Sequence, residues 1–524
     1  MLLLPLTASA QTNEEINAGL QFSFSPPGAR SLAMAGAFAG LADDATAAFA
    51  NPAGLIWLTR SEISAEGRHR LYKTSYPFSG SASAQPTGNG IDTRGDLELR
   101  DFESEVSGLS FLSYAHVFGE QRPALSKLRL AFYRHELAAF EAELRSEGPF
   151  IRNGGPGPLS EQRRNRSRLA ALLGELDLSI VHHGMAAAYS FTDNLWLGAS
   201  LSYASFDYRA QTQRFATELP ARDALGGILR DGRTNVIFGP ADFSAANESE
   251  RSIQVGDDYD VAATLGLIWK SKGSVRRGEP IHWSVGLVYR QGPTFNFNYA
   301  FEWRDQKIAL REETGNQNFT DPGVVRALTG STRFEVPDVL GFGFMIRPGF
   351  VPQNALTISF EVDHVAYSSL EPEANLIATA LRGEDAAGND FAFDTCGDFD
   401  RNGTPYPPGG ELACVSPFLE NFEIDDAIEL RLGLEYLLDH RVDVALRLGA
   451  WLDPDHQLSY DFGGRPTSDL QPEDRFGFRF PEGENEMHWT GGLGIVFSRL
   501  QLDLAFDLSD RANVFSLSTV YRLN

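Results

Sequence analysis

The stretch Ala427 to Leu452 reads "AIELRLGLEYLLDHRVDVALRLGAWL". Ile428, Leu430, Leu432, Leu434 and Tyr436 take one set of alternate positions; Glu429, Arg431, Gly433 and Glu435 take the other. After the tight turn Leu438-Asp439-His440 the pattern resumes, with Val442, Val444, Leu446 and Leu448 opposed to Asp443, Ala445, Arg447 and Gly449. Near the end of the chain, Leu500, Leu502, Leu504, Phe506 and Leu508 alternate with Gln501, Asp503, Ala505 and Asp507. A period of two describes a strand with one apolar and one polar face.

Applied along the chain, the same test predicts about fourteen strands, near 60–71, 106–118, 126–142, 176–190, 195–209, 257–270, 280–299, 333–347, 354–367, 425–437, 441–453, 487–498, 500–508 and 513–522. These lengths suit a tilted crossing of a bilayer. Links after the even-numbered strands are short, among them "FTDN", "PGFVPQ" and "LDHR". Links after the odd-numbered strands are long, and only the last, near "SDRAN", departs from the rule. Short turns at one end and long loops at the other describe an all-β, antiparallel transmembrane barrel. A soluble sandwich has no reason to alternate its loop lengths. The apolar faces then look into lipid, and the charged faces line the lumen. There Glu429, Arg431, Asp443 and Arg447 either guide a solute or pair with one another and with a plug.

The totals argue against a nucleic-acid partner. Among 524 residues, 70 are acidic and 45 basic, and the net charge of −25 repels phosphate backbones. No uninterrupted apolar run is long enough for a membrane helix. Residues 1–10, "MLLLPLTASA", read as the remnant of a signal peptide, with Ala8-Ser9-Ala10 as a small-residue cleavage site. Cys396 and Cys414 share one loop and, in an exported chain, are expected to form a disulfide.

The segment "GARSLAMAGAFAGLADDATAAFANPAGL", Gly28 to Leu55, is too broken for a membrane helix and too small-sided for a core of its own. Its small residues permit close backbone approach, so it fits as a plug of short helices folded inside the barrel. Asp43 and Asp44 are placed to cap a short helix running to Phe49, and Pro52 biases Asn51 away from helix, which ends it. The domain reading is therefore a plug or hatch over 11–58 and a barrel with long extracellular loops over 59–524.

This stretch resembles the N-terminal hatch of the FadL/TodX family of outer-membrane transport proteins for long-chain fatty acids and aromatic hydrocarbons. The resemblance lies in Ala29 to Gly36, Ala42-Asp43-Asp44 and Asn51-Pro52-Ala53. "GLVYRQGPTFNF" (Gly286 to Phe297) and "VPDVLGFGFMIRP" (Val336 to Pro348) are similar to later strands of that family. It implies a monomeric barrel of fourteen strands in the bacterial outer membrane, with both termini in the periplasm. It further implies capture of a hydrophobic small molecule by the loops, hatch movement, and sideways exit into membrane lipid through an opening in the wall. Only Asn51, Pro52 and Ala53 carry over by motif, as hatch residues. Barrels that dock onto surface secretion machinery share a similar motif, so a secretion partner holding cargo proteins through its loops is the alternative. A general porin is a third reading, disfavoured by a hatch.

Three further features carry expectations. Leu169, Leu172, Leu173 and Leu176 fall at helical spacing behind an Arg cluster that includes Arg166 and Arg168. Tail on leucines and carboxylate on arginine would suit capture of an amphiphile, or the segment is a loop helix over the barrel mouth. Asp398, Asp400 and Asn402, followed by Gly403, form the first half of a calcium loop, without the usual acid at its twelfth position. No cofactor is required, and structural calcium in the 396–414 loop is the one metal considered. Catalytic motifs are missing, and His182 and His183 are strand neighbours that point to opposite faces. At the wall, Gly292-Pro293 marks a place where sheet pairing can be interrupted.

Overall fold

The computed structural model describes residues 16, 20, 24–81, 97–118, 125–152, 166–215, 230–231, 235–236, 241–245, 247–271, 282–304, 325–348, 356–370, 380–384, 390–394, 422–438, 442–463, 480 and 483–523. Fourteen antiparallel strands form a closed barrel. They are β1 (Glu62–Ser79), β2 (Glu98–Val117), β3 (Leu128–Ser146), β4 (Ala171–Ser190), β5 (Leu195–Phe215) and β6 (Glu248–Lys270). Next come β7, in two pieces (His282–Arg290 and Thr294–Arg304), and β8, also in two (Val325–Glu335 and Val339–Arg347). The wall continues with β9 (Leu356–Val365), β10 (Ala427–Leu438), β11 (Asp443–Asp453), β12 (Glu486–Val496), β13 (Leu500–Leu508) and β14 (Ala512–Arg522). Each strand pairs with the next, and β14 returns to β1 with Glu62 opposite Arg522. Closure joins the last strand to the first, so the sheet has no terminal strand, as a bilayer requires. A further hairpin, Ala380–Glu384 with Asp390–Asp394, adds to β8 through Thr329 and Arg382.

The alternation reads inside out relative to a soluble protein. Leu448 is 65% exposed, and its neighbour Arg447 only 3%. Leucines 430, 432, 434, 446, 504 and 517 form part of an apolar outer band. Aromatic residues mark both of its borders. Tyr189, Trp269, Tyr436 and Tyr521 stand at the end with the short turns; Tyr203, Tyr259, Tyr289 and Trp489 stand toward the loops. Such girdles sit at the two lipid–water interfaces of a membrane barrel.

Several strands run further toward the loop end than their apolar alternation predicts. β2 begins at Glu98 rather than near 106, β4 at Ala171 rather than near 176, and β6 at Glu248 rather than near 257. In these extensions the outward residues are Asp101, Glu103 and Glu105 on β2, Glu141 and Glu143 on β3, and Glu175 and Asp177 on β4. The ladder continues beyond the lipid, so polar side chains face out and the apolar signal disappears. The helix expected over 169–176 is one such extension. Leu172 and Leu176 point into the lumen with Leu178 and Ile180, because strand pairing to β3 and β5 fixes an extended backbone there.

Candidate functional site

From Phe24 to Leu55 every residue is buried except Arg30 and Asp43, which are partly so. The segment contains α1 (Ala29–Ala33), α2 (Ala47–Ala50) and a 3-10 turn (Pro52–Trp57). So short a run of helix leaves many backbone groups without internal partners, and side chains of the wall meet several of them. Ser359 Oγ donates to the Ala37 carbonyl at 2.6 Å, Ser284 Oγ to Gly40 at 2.6 Å and Thr490 Oγ1 to Ala33 at 3.0 Å. Glu361 Oε2 accepts from the Phe38 and Ala39 amides, both at 2.6 Å, and Glu66 Oε2 from the Gly28 amide at 2.8 Å. Alanine and glycine suit this arrangement because their side chains do not stand between the plug backbone and the wall.

Asn51 fastens the segment at one point. Its Nδ2 donates to the Ala39 carbonyl at 2.8 Å and to Leu267 of β6 at 3.3 Å, while its Oδ1 accepts from the Ala53 amide at 3.2 Å. α2 stops at Ala50, and Asn51 is extended (φ −153°, ψ 103°) ahead of Pro52. The wall facing this motif is glycine: a Cβ at Gly198 would strike Pro52 and Ala53, and one at Gly266 would strike Asn51. The helix start is capped differently from the expected pair of aspartates. Asp44 Oδ1 accepts from the Thr46 amide at 2.9 Å, whereas Asp43 turns to Arg30 and, at 3.0 Å, Arg347.

Ion pairs tie plug to wall. Arg30 reaches Glu435 through two bonds of 2.8 and 2.9 Å; Glu435 also accepts from Arg447 at 2.7 Å, and Arg447 meets Asp503 at 2.7 Å. Arg431 holds Asp363 at 3.1 Å, contacts Glu429 and donates to the Ala35 carbonyl at 3.1 Å. Burial pushes the Asp43 carboxyl up, but Arg30 and Arg347 outweigh it and hold Asp43 below its ordinary value. For Asp44 burial prevails, and its pKa is raised. The lumen charges Glu429, Arg431 and Arg447 therefore pair with one another and with the plug. Asp443, at the turn end of β11, is half-buried.

Toward the loops the lumen changes character. Ile16, Leu20 and Phe24 sit in one apolar cluster with Tyr72, Phe140, Leu176, Phe206, Tyr208, Phe295, Phe297 and Phe334. The Phe206 and Phe295 rings are stacked 4.7 Å apart, and Phe334 lies 5.3 Å from Phe206. These rings make the loop-side part of the lumen apolar.

Among the described residues the wall opens its ladder twice. β2 and β3 pair only from Phe111 opposite His135 to Val117 opposite Arg129. Beyond a bulge at Glu136–Ala138, β3 stays with β4 and bends inward, so that Tyr72 of β1 reaches the Ala139 carbonyl at 3.0 Å. β2 from Glu98 to Ser110 keeps its pairing to β1 alone. The second interruption is the one expected at Gly292-Pro293, matched by a break at Val336–Asp338 in β8. There carboxylates replace the ladder: Asp260 accepts from the Thr294 amide at 2.8 Å, Asp258 from Asn296 at 2.7 Å and Asp338 from Gly292 at 2.7 Å. The β2–β3 split escaped the sequence reading. Its trace is Leu137-Ala138-Ala139-Phe140, where strict alternation lapses because both strand faces lie inside.

The remaining expected sites are not gathered into one. Leu169, Leu172 and Leu176 are buried, and Leu173 is half-buried on the opposite strand face from Leu172. Arg166 and Arg168 lie in a short strand paired with Phe150–Arg152. Arg168 is buried over the Phe150 ring and donates to the Gly148 carbonyl at 3.1 Å, so it is not on an open groove. His182 points inward and His183 outward. Residues 1–10, Cys396, Cys414, Asp398, Asp400 and Asn402 lie outside the described residues.

The fold and site together define a membrane β-barrel filled at its turn end by its own N-terminal segment, with a packed apolar cluster above it. The same architecture occurs in a FadL homologue of Pseudomonas aeruginosa (TM-score 0.52, 12% identity, 96% of this chain against 99% of that one). It also occurs in the toluene transporter TodX of P. putida (TM-score 0.50, 11% identity, 96% against 100%). No family model and no curated protein matches the chain. At these identities the likeness speaks to the fold.

Proposed function

We propose that this protein is a passive outer-membrane channel for hydrophobic compounds, with residues 11–58 as its hatch and the short turns and both termini in the periplasm. The observation that carries this reading is the aromatic cluster inside a barrel whose other end is filled by the N-terminal segment. A solute captured at the loops takes the place of Ile16, Leu20 and Phe24 among the rings. Apolar burial favours it by roughly 25 cal/mol per Å². Displacing those three side chains loosens the segment leading into the plug, and the solute leaves sideways through the β2–β3 split, where the wall lacks a ladder. The fold neighbours, named as a FadL homologue and a toluene transporter, support the same class of cargo.

The test is purification in mild detergent followed by mass spectrometry of everything that comes with the protein. A stoichiometric apolar molecule, lost when residues 24–58 are deleted, is the expected result. A stoichiometric protein and no apolar molecule would replace this reading with that of a secretion partner holding cargo by its loops.

A further inference from the structure

We infer that the outer, lipid-facing wall carries a seat for one membrane lipid with a cationic amino head group. A trough of about 940 Å³ crosses β1, β2 and β11 to β14 on that face, walled by Leu448, Leu493, Phe506, Phe515 and Leu517. Its floor is lowest at Gly67 of β1, where a Cβ would meet nothing closer than the Gly108 carbonyl oxygen, at 3.6 Å. Lipid tails cover any barrel wall and gain little by exchanging one apolar neighbour for another. Selection of one lipid therefore needs polar groups, and the trough has them toward its loop-side end.

His69 and Ser107 stand opposite each other on the outer side of β1 and β2, with Nδ1 and Oγ 2.7 Å apart. The His69 ring lies beside Phe515, with 6.4 Å between centroids. A polar pair on a lipid face is costly unless the lipid answers it. The ring nitrogen that Ser107 leaves over can meet an ester carbonyl or a hydroxyl at the base of a lipid head. One step further toward the loops, the outward positions turn acidic. Leu71 stands opposite Glu105 and Lys73 opposite Glu103, with Asp101 next on β2 and Asp510 in the β13–β14 turn; all four acids are exposed. Among the described outward positions of β1 and β2 above the trough, Lys73 is the one cation, and Asp101 holds it at 3.0 Å. The rim is thus negative: it attracts an ammonium head and repels an anionic one. A second copy of the chain fits poorly, because two copies inserted the same way round would set their acidic rims side by side at one height. Ser107 and Gly108 belong to the part of β2 that pairs with β1 alone, so the seated lipid borders the β2–β3 split.

The probes are dipalmitoyl phosphatidylethanolamine, phosphatidylglycerol and diacylglycerol, which share their tails and carry an amine, a net negative charge and no charge. Each is titrated into the full chain in detergent, and binding is read by native mass spectrometry. Wild type is expected to hold the ethanolamine lipid roughly fivefold more tightly than the glycerol lipid, with diacylglycerol between them. E103Q/E105Q, at exposed positions, is expected to level that ranking. G67L, shown folded by heat-modifiable mobility, fills the trough and is expected to weaken all three. Equal or tighter binding of phosphatidylglycerol by wild type overturns the inference, and so does an amine preference that survives E103Q/E105Q. Unchanged binding to folded G67L places the lipid elsewhere and overturns it too. A lipid-free dimer that G67L breaks would give the trough to a second copy instead. Should G67L not fold, the rankings of wild type and E103Q/E105Q decide. If wild type binds none of the three, there is no seat.

Discussion

At Asn51 three hydrogen bonds join the plug to itself and to β6. N51A removes the donor to the Ala39 and Leu267 carbonyls in the buried interior, at a cost of about 1–3 kcal/mol. The variant is expected to melt lower than wild type and to leak ions in a planar bilayer; unchanged conductance would mean that the motif does not seal the lumen. His456, outside the spanning strands, makes a different kind of prediction. Its ring stacks on Tyr367 at 4.0 Å, and its Nδ1 lies 3.4 Å from Asp453. Burial pulls its pKa down, but Asp453 and the Pro454 carbonyl prevail and lift it to about 9. The charged form is thus favoured by the fold. Its stabilisation is complete below the unfolded value of about 6.5 and fades as pH rises through about 9. The melting difference between wild type and H456Q should be largest near pH 6 and small by pH 10; a difference independent of pH would contradict the ion pair.

Strands were legible where lipid touches them, because a bilayer enforces apolar residues at every second position. β10, β11 and β13 illustrate this: Ile428 to Tyr436, Val444 to Leu448 and Leu500 to Leu508 read directly as walls. Strand ends were not, since Glu103, Glu175 and Asp257 face water from strands that continue past the membrane. The leucines at 169, 172, 173 and 176 show the ambiguity of a short run: their spacing matches a helix, yet two of them share one strand face, and only the partners β3 and β5 decide. The plug was legible as a small-residue segment ending at Asn51-Pro52. Its glycine counterparts at 198 and 266 were not, because they lie on strands distant in sequence. The β2–β3 split is equally a matter of partners. Ser104 Oγ already meets the Glu141 carbonyl across it. If solutes leave there, an oxidised S104C/E141C staple should block release, whereas D258C/N296C across the β6–β7 break should not. Equal effects of the two staples would move the exit elsewhere.

At the scale of the whole molecule, polar side chains on the inner faces of the strands hold the N-terminal segment, from Glu66 on β1 round to Ser518 on β14, and the apolar cluster lies on its loop side. On the channel reading proposed above, the plug shifts against the wall as a solute passes. The most direct measurement is uptake of a fluorescent hydrophobic solute by cells carrying a reversible lock between the two. A29C/S518C offers one, because the Ala29 amide and Ser518 Oγ already lie 3.1 Å apart. With wild type as the redox control, uptake should fall to background when the pair is oxidised and return when it is reduced. Undiminished uptake through the oxidised, verified cross-link would contradict a moving hatch.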